Sequence, residues 1–302
     1  MPTLPEVRVG ESIVYESLTV FPLFAEPAVG VDYILADEAV ASGTVTVEEI
    51  GESASVPNLI VDNRADRLVL FLEGQELRGA KQNRVLNASV LIGPASKTTI
   101  PVSCVEQGRW RYNSRHFGVS GSHASSKLRH ILKKSVYRSV RMGQGHRSDQ
   151  AEVWNEVGRQ MASLGLQSAT AAMADTYAAH ENRMAEFKNR LQYVEDAAGI
   201  AVAVGGKFVS LDLFDKPQTC GKVWDRLLTG VVLDALEDSQ TNDKPNSDGV
   251  SELLTALRGA GWQSSPSVGA GEEFRAEAGA GRHASALTYM GTLLHESLVV
   301  AT

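Results

Sequence analysis

Between residues 18 and 105 the chain repeats one pattern, and this pattern limits the fold more than any other feature. Short runs rich in β-branched and apolar residues are each closed by a polar or glycine-containing turn. The runs fall at 18–24, 44–50, 58–61, 67–72, 84–92 and 98–105. Asp62-Asn63-Arg64-Ala65-Asp66 and Gly93-Pro94-Ala95-Ser96 act as punctuation between them. Spacing of this kind predicts antiparallel strands in a sandwich or a curled sheet.

Helical periodicity takes over later. Lys127 to Arg141 reads as a short basic helix after a Gly/Ser-rich loop expected over 117–126. Asp149 with Glu152 forms a capping box ahead of Val153, Val157, Met161 and Leu164. Met173, Tyr177, His180, Met184, Phe187, Leu191 and Val194 recur at spacings of four and three, which predicts one helix of nearly seven turns with His180 inside its apolar stripe. The stretch 199–214 reads as a hairpin turning at Gly205-Gly206, because that pair supplies the positive φ a tight turn needs. Pro217 then opens a helix. A polar loop is expected over 239–248, a short amphipathic helix over 250–257, and two terminal strands from Val268 onward, joined near Gly279-Ala280-Gly281.

The fold class expected is therefore α+β: an N-terminal antiparallel, β-rich, sandwich-like part, then a helical block and further antiparallel strands. The organisation expected is a β-rich part at 1–112, a basic loop and helix connector at 113–147 and an α+β part at 148–302, as separate units or as one continuous domain.

Composition excludes some classes. Hydrophobic residues make up 43% of the 302 and charged residues 22%, as in an ordinary globular protein. No apolar run is long enough for a membrane helix. MPTLPEVRVG lacks the basic and apolar segments of a secretory signal. Two distant cysteines, Cys104 and Cys220, suggest no disulfide framework, and a reducing cytoplasm is the expected location. The net charge of −7 argues against a general nucleic-acid binder. Its distribution is uneven, since residues 107–148 hold ten cations and no Asp or Glu. That segment is either an anion-binding surface or a solvated basic face.

Three stretches carry residues suited to chemistry. In the first, Glu73 to Asn87, Lys81 and Arg84 suit phosphate or carboxylate, Gln82 and Asn83 suit amides or hydroxyls, and Glu76 suits acid/base work. A plain solvated hairpin tip is the alternative. The second stretch is SCVEQGRWRY. Its Glu106 is a second candidate acid or base, and Gln107, Arg109, Trp110 and Arg111 suit base stacking with phosphate contact. Cys104 reads as a buried structural thiol or a reactive one. In the third, Arg147 and Ser148 precede Asp149, which reads as a helix cap or as part of an anion site. No phosphate-binding loop, dinucleotide fingerprint, nucleophile elbow or zinc-protease motif is present. Glu272, Glu273, His283 and His295 match no standard metal spacing, and no cofactor is implied.

GQELRGAKQNR (74–84), IPVSCVEQGRW (100–110) and RSDQAEVW (147–154) together resemble a bacterial family, the ARG and rhodanese-phosphatase-superfamily-associated protein domain. The resemblance covers most of the chain. It implies a context near ADP-ribose or nucleotide metabolism and assigns no catalytic residue. The expectation is a protein that binds or processes a phosphate-bearing, nucleotide-like ligand at the 76–84 loop and the 104–111 strand end. The alternative is an interaction module whose basic segment docks RNA or an acidic protein.

Overall fold

The computed structural model describes residues 1–28, 30–51, 57–238 and 244–302. Two short strands, β1 (Arg8–Val9) and β2 (Ile13–Tyr15), precede β3 (Leu18–Phe24) and pair with it. After them come β4 (Tyr33–Leu35), α1 (Ala36–Ala41), β5 (Val45–Glu49), β6 (Asn58–Asn63), β7 (Leu68–Phe71), β8 (Gln75–Gly79), β9 (Arg84–Leu86), β10 (Val90–Ile92), β11 (Ser96–Cys104) and β12 (Phe117–His123). The helical block is α2 (Ser126–Arg141), α3 (Gln150–Ser163), α4 (Met173–Ala179) and α5 (Glu181–Arg190). The hairpin β13 (Gly199–Val204) and β14 (Lys207–Phe214) leads into α6 (Pro217–Glu237) and α7 (Ser247–Arg258). β15 (Gln263–Ser265), β16 (Glu272–Glu277), β17 (Arg282–Tyr289) and β18 (Thr292–Val300) end the chain.

The protein is α+β, with strands first, helices in the middle and strands again. The largest sheet runs β1-β3-β13-β14-β18-β17-β16-β15, with β2 also on β3, so it takes strands from both ends of the chain. A six-stranded sheet runs β12-β8-β9-β11-β6-β5, and a small one runs β10-β7-β4. Both faces of β3 are buried. Leu18 and Val20 join a core with Trp224 and Leu228 of α6, while Phe21 and Leu23 join a second core with Leu253, Leu254 and Leu257 of α7. This two-sided burial is why β3 reads as a continuous apolar run rather than an alternating one. A third core fills the six-stranded and small sheets with Val47, Val61, Phe71, Leu86 and Ile100.

Several expectations hold. The β13–β14 turn sits on Gly205 and Gly206, both at positive φ. Pro217 begins α6, and the Asp149 carboxylate caps α3 by accepting from the N–H groups of Ala151 and Glu152. Among the described residues no helix is long and apolar enough to cross a membrane.

Four expectations are corrected. The Gly/Ser-rich stretch expected to be a loop forms β12, because β8 supplies its ladder through Phe117↔Gly79 and Val119↔Leu77. The run 84–92 is two strands, β9 in the six-stranded sheet and β10 in the small one. The stripe 173–194 is two helices broken at His180, whose φ of −114° leaves the helical range while its Nδ1 lies 2.9 Å from the Thr176 carbonyl. The chain still returns Tyr177, Met184 and Phe187 to one core, so the apolar period survives the break. The C-terminal region from Val268 holds three strands (β16, β17 and β18), not two. The polar loop expected over 239–248 lies, at 239–243, outside the described residues.

Gly230 shows how tightly α6 meets β12. A Cβ there would overlap the Ala124 carbonyl oxygen, which is backbone and cannot step aside cheaply. Alanine in a helix interior usually gains about 0.5–1 kcal/mol over glycine. Overpacking costs about 1–3 kcal/mol and wins here. Gly230→Ala is expected to lower the urea midpoint of unfolding, and a raised midpoint would show that the two elements can separate freely.

Candidate functional site

The three sequence motifs interlock at one place. β9 and β11 pair, with Cys104 opposite Arg84. The Val105 N–H donates to the Asn83 carbonyl at 3.1 Å, and Gln82 Nε2 donates to the Glu106 carbonyl at 2.8 Å. From the third motif, the Gln150 side chain bonds both backbone groups of Cys104 at 2.8 Å. Where β11 ends, side chains from Gln82 and Gln150 and backbone bonds to Asn83 and Met173 together hold the strand end at Cys104 to Glu106.

Glu106 is the knot of this region. Its Oε1 accepts from Arg109 Nε at 2.7 Å, and its Oε2 accepts from Arg109 Nη2 at 2.7 Å and from the Asn83 N–H at 3.0 Å. Burial pushes its carboxyl up, but the Arg109 fork and the Asn83 N–H outweigh that and hold it below its usual range. Glu106 is thus ionised and occupied. Arg109 also reaches the carbonyls of Ala80 and Arg111, so it braces the loop. Glu76 differs. Its Oε2 accepts from Arg78 Nε and Ser120 Oγ, both at 2.8 Å, while Oε1 has no hydrogen-bond partner among the described residues. Burial raises its pKa despite the Arg78 guanidinium, and its side chain is fully enclosed.

Arg84 is fully buried. It donates to Gln82 at 3.0 Å and lies 3.5 Å from Glu49. Burial pushes the Cys104 thiol up, so it stays protonated at neutral pH, and its Sγ lies 3.4 Å from the Glu106 carbonyl.

The loop between β11 and β12 carries two large rings in the open. Trp110 is 51% exposed and Tyr112 55%. Lys81 Nζ sits 5.4 Å and 5.1 Å from their ring centres, and the Arg84 guanidinium 6.0 Å from that of Trp110. Beside them opens a pocket of about 450 Å³ lined by Glu48, Glu49, Tyr112, Asn113, Ser114 and Arg115. Glu49 is buried, and its Oε2 has no hydrogen-bond partner among the described residues. Sequence reading missed these pocket residues. The signal was there in the paired acids that end the strand TVTVEEI, but nothing local joins 48–49 to 112–115.

The structure therefore brings together Lys81, Gln82, Asn83, Arg84, Glu106, Arg109 and Trp110. Gln107 and Arg111 are exposed on the same loop. Arg147 and Ser148 line a different cavity of about 310 Å³ with Arg138, Ser139, Asp149 and Glu152.

The basic segment is not one open surface. Arg129 and Lys133 of α2 point inward. Arg129 forks onto Asp212 at 2.9 and 2.6 Å and reaches Ser297 at 2.6 Å. Lys133 pairs with Glu73 at 2.7 Å and donates to Ser285 at 2.5 Å. His295 Nε2 lies 3.2 Å from Asp212, and its Nδ1 lies 2.8 Å from Ser89 Oγ. Arg275 and Glu273 pair at 2.5 Å, and His146 Nε2 lies 2.5 Å from Glu273. This buried charge network ties α2 to the large sheet and to the loop at Glu73.

Antiparallel sheets, with one parallel pair in the small sheet, and interlocked polar motifs make this an α+β fold with a loop-borne polar pocket, unlike the doubly wound or phosphate-loop enzymes. The chain belongs to the ARG and rhodanese-phosphatase-superfamily-associated protein domain family, whose model matches residues 6–299. No curated protein and no solved structure matches it.

Proposed function

We propose that the protein binds a phosphate-bearing, nucleotide-like small molecule in the pocket beside Trp110 and Tyr112. The observation that carries this reading is the pair of half-exposed rings beside Lys81, of which Tyr112 lines the pocket, together with a buried Glu49 carboxylate oxygen that has no hydrogen-bond partner among the described residues. Exposed aromatics give a base a stacking platform. Glu49, with Glu48 beside it, offers acceptors for sugar hydroxyls. Arg115 and Lys81 supply positive charge for phosphate. The volume lies in the small-ligand range of about 300–1,000 Å³.

Within this reading Glu106 and Arg109 position the loop rather than react. Arg84 presents Glu49 and supports the Trp110 ring. Glu76 is enclosed behind Arg78 and does not meet the ligand.

The test is calorimetric titration with ADP-ribose, AMP and free phosphate at moderate salt. Losing a stacking ring costs about 1–3 kcal/mol per base. Trp110→Ala is expected to weaken AMP about tenfold or more, and Glu49→Gln to weaken ribose-bearing ligands more than phosphate. Unchanged AMP affinity in Trp110→Ala would reject the pocket. Binding of short RNA alone, lost steeply with salt, would reject the small ligand and point to the remaining exposed basic residues.

A further inference from the structure

A smaller cavity of about 150 Å³ shares no lining residue with the motifs. Ser126 and Lys127 from the first turn of α2, Val204, Lys207 and Val209 from the β13–β14 hairpin, Asp234 and Asp238 from the end of α6, and Thr302 line it. Asp234 is the unusual member. It is 2% exposed, and its Oδ2 accepts from the Ser126 N–H at 2.7 Å, while Oδ1 has no hydrogen-bond partner among the described residues. A buried carboxylate oxygen left unpaired costs free energy unless something donates to it.

We propose that this cavity is a binding site for a small zwitterion of the amino-acid class, with its ammonium on Asp234 Oδ1 and its carboxylate on Lys207. The charges decide the class. A simple anion would face the Asp234 carboxylate. A simple cation would face Lys127 and Lys207. A molecule carrying both signs satisfies both Asp234 and Lys207. Lys127 is already paired with Glu237 at 2.7 Å, so Lys207, which has no ion-pair partner among the described residues, takes the carboxylate. The size agrees as well. A cavity of about 150 Å³ holds a molecule the size of benzene, which suits glycine, alanine or valine, and Val204 and Val209 offer an apolar wall for a small side chain.

The site carries its own pH signature. Burial pushes the Asp234 carboxyl up to about 7, with the Ser126 N–H and Lys127 opposing and Glu237 reinforcing the rise. Asp234 also interacts electrostatically with Arg129 of α2 and Tyr177 of α4. Binding an ammonium requires the ionised form, so below pH ~7 the ligand must first displace a proton. Each further unit of acidity then costs about tenfold in affinity.

The experiment is calorimetric titration of the full chain with glycine, alanine and valine, alongside acetate and methylammonium, at pH about 8 and about 5.5. Glycine or alanine is expected to bind at millimolar or lower concentration at the higher pH. Binding should weaken about 30-fold at the lower pH, and each half-molecule should bind at least about tenfold more weakly than the zwitterion. Asp234→Asn is expected to lose at least about tenfold in affinity with no fall in melting temperature, because the amide copies the neutral acid. Lys207→Met, on the surface, should weaken amino acids and acetate but leave methylammonium unchanged. Absence of binding by every amino acid, acetate binding as well as glycine, or unchanged affinity in Asp234→Asn would each overturn the proposal.

Discussion

Arg129→Met is expected to remove about 3–5 kcal/mol of stability, a large share of the roughly 5–15 kcal/mol a domain possesses. The reason is the charge left behind. Asp212 is 1% exposed and sits against Arg129 in a two-pronged pair, with His295 at 3.2 Å as its other neighbour. Burial pushes the Asp212 carboxyl up, but the Arg129 guanidinium and the His295 ring outweigh this and hold it far below the usual carboxylate range. Without Arg129 that carboxylate is buried and nearly uncompensated, and Ser297 loses its partner too. The double variant Arg129→Met, Asp212→Leu is expected to recover most of the loss, since a well-packed apolar pair often equals a buried ion pair. A double-mutant cycle on urea midpoints measures both effects.

The same pair contributes to the acid limb of stability. A depressed folded-state pKa gives stability that is fully present above the unfolded value near 3.8 and is lost as pH falls below it. Wild type should therefore lose stability below pH ~4 more steeply than the double variant. A single variant as stable as wild type would mean that water or rearrangement reaches Asp212 and that the network is not dry.

That network also marks where sequence reading stops. The strand at 18–24, the Gly205-Gly206 turn, the Pro217 helix start and the Asp149 cap were all legible, because each depends on residues within a few positions of one another. Arg129 and Asp212 lie 83 residues apart, and nothing near either names the other. A helix written SKLRHILKKSVYRSVR looks basic and solvated until the sheet beneath it is seen to supply Asp212 and the nearby loop Glu73. β12 was hidden for a related reason. FGVSGSH has little strand propensity, and its ladder comes from β8, about forty residues earlier in the chain. The candidate site was half legible. Loop composition picked out 81–84 and 106–110, but the pocket wall at Glu48 and Glu49 comes from another strand, and the knot that uses up Glu106 depends on where Arg109 turns.

Glu296→Met is expected to stabilise the protein by about 2–3 kcal/mol at neutral pH, the opposite sign to the Arg129 variant. Side chains alternate along β18: His295 and Ser297 meet Asp212 and Arg129, while Leu298 joins the core under α7, and Glu296 shares its face. Glu296 is fully buried, and neither carboxylate oxygen has a hydrogen-bond partner among the described residues. Burial pushes its pKa up to about 8, with Lys133 and Arg258 opposing only in part. The folded value lies above the unfolded 4.5, so the stability contribution is complete below pH ~4.5 and drains away as pH rises toward and through 8. Methionine removes the titration while filling similar volume. The difference in stability between variant and wild type should therefore grow from near zero at pH ~5 to its full size by pH ~8. Asp234 contributes a slope of the same sign up to pH ~7, and Lys133, depressed to about 8, contributes one of opposite sign at higher pH. Subtracting wild type from variant cancels the Asp234 slope, and the Lys133 slope acts mainly above pH ~8. A variant less stable than wild type, or a difference that does not change with pH, would mean that Glu296 is ionised and paired in solution. A stabilised variant that still binds AMP would separate this acid from the Trp110 pocket and make it a cost that the fold carries for some other purpose.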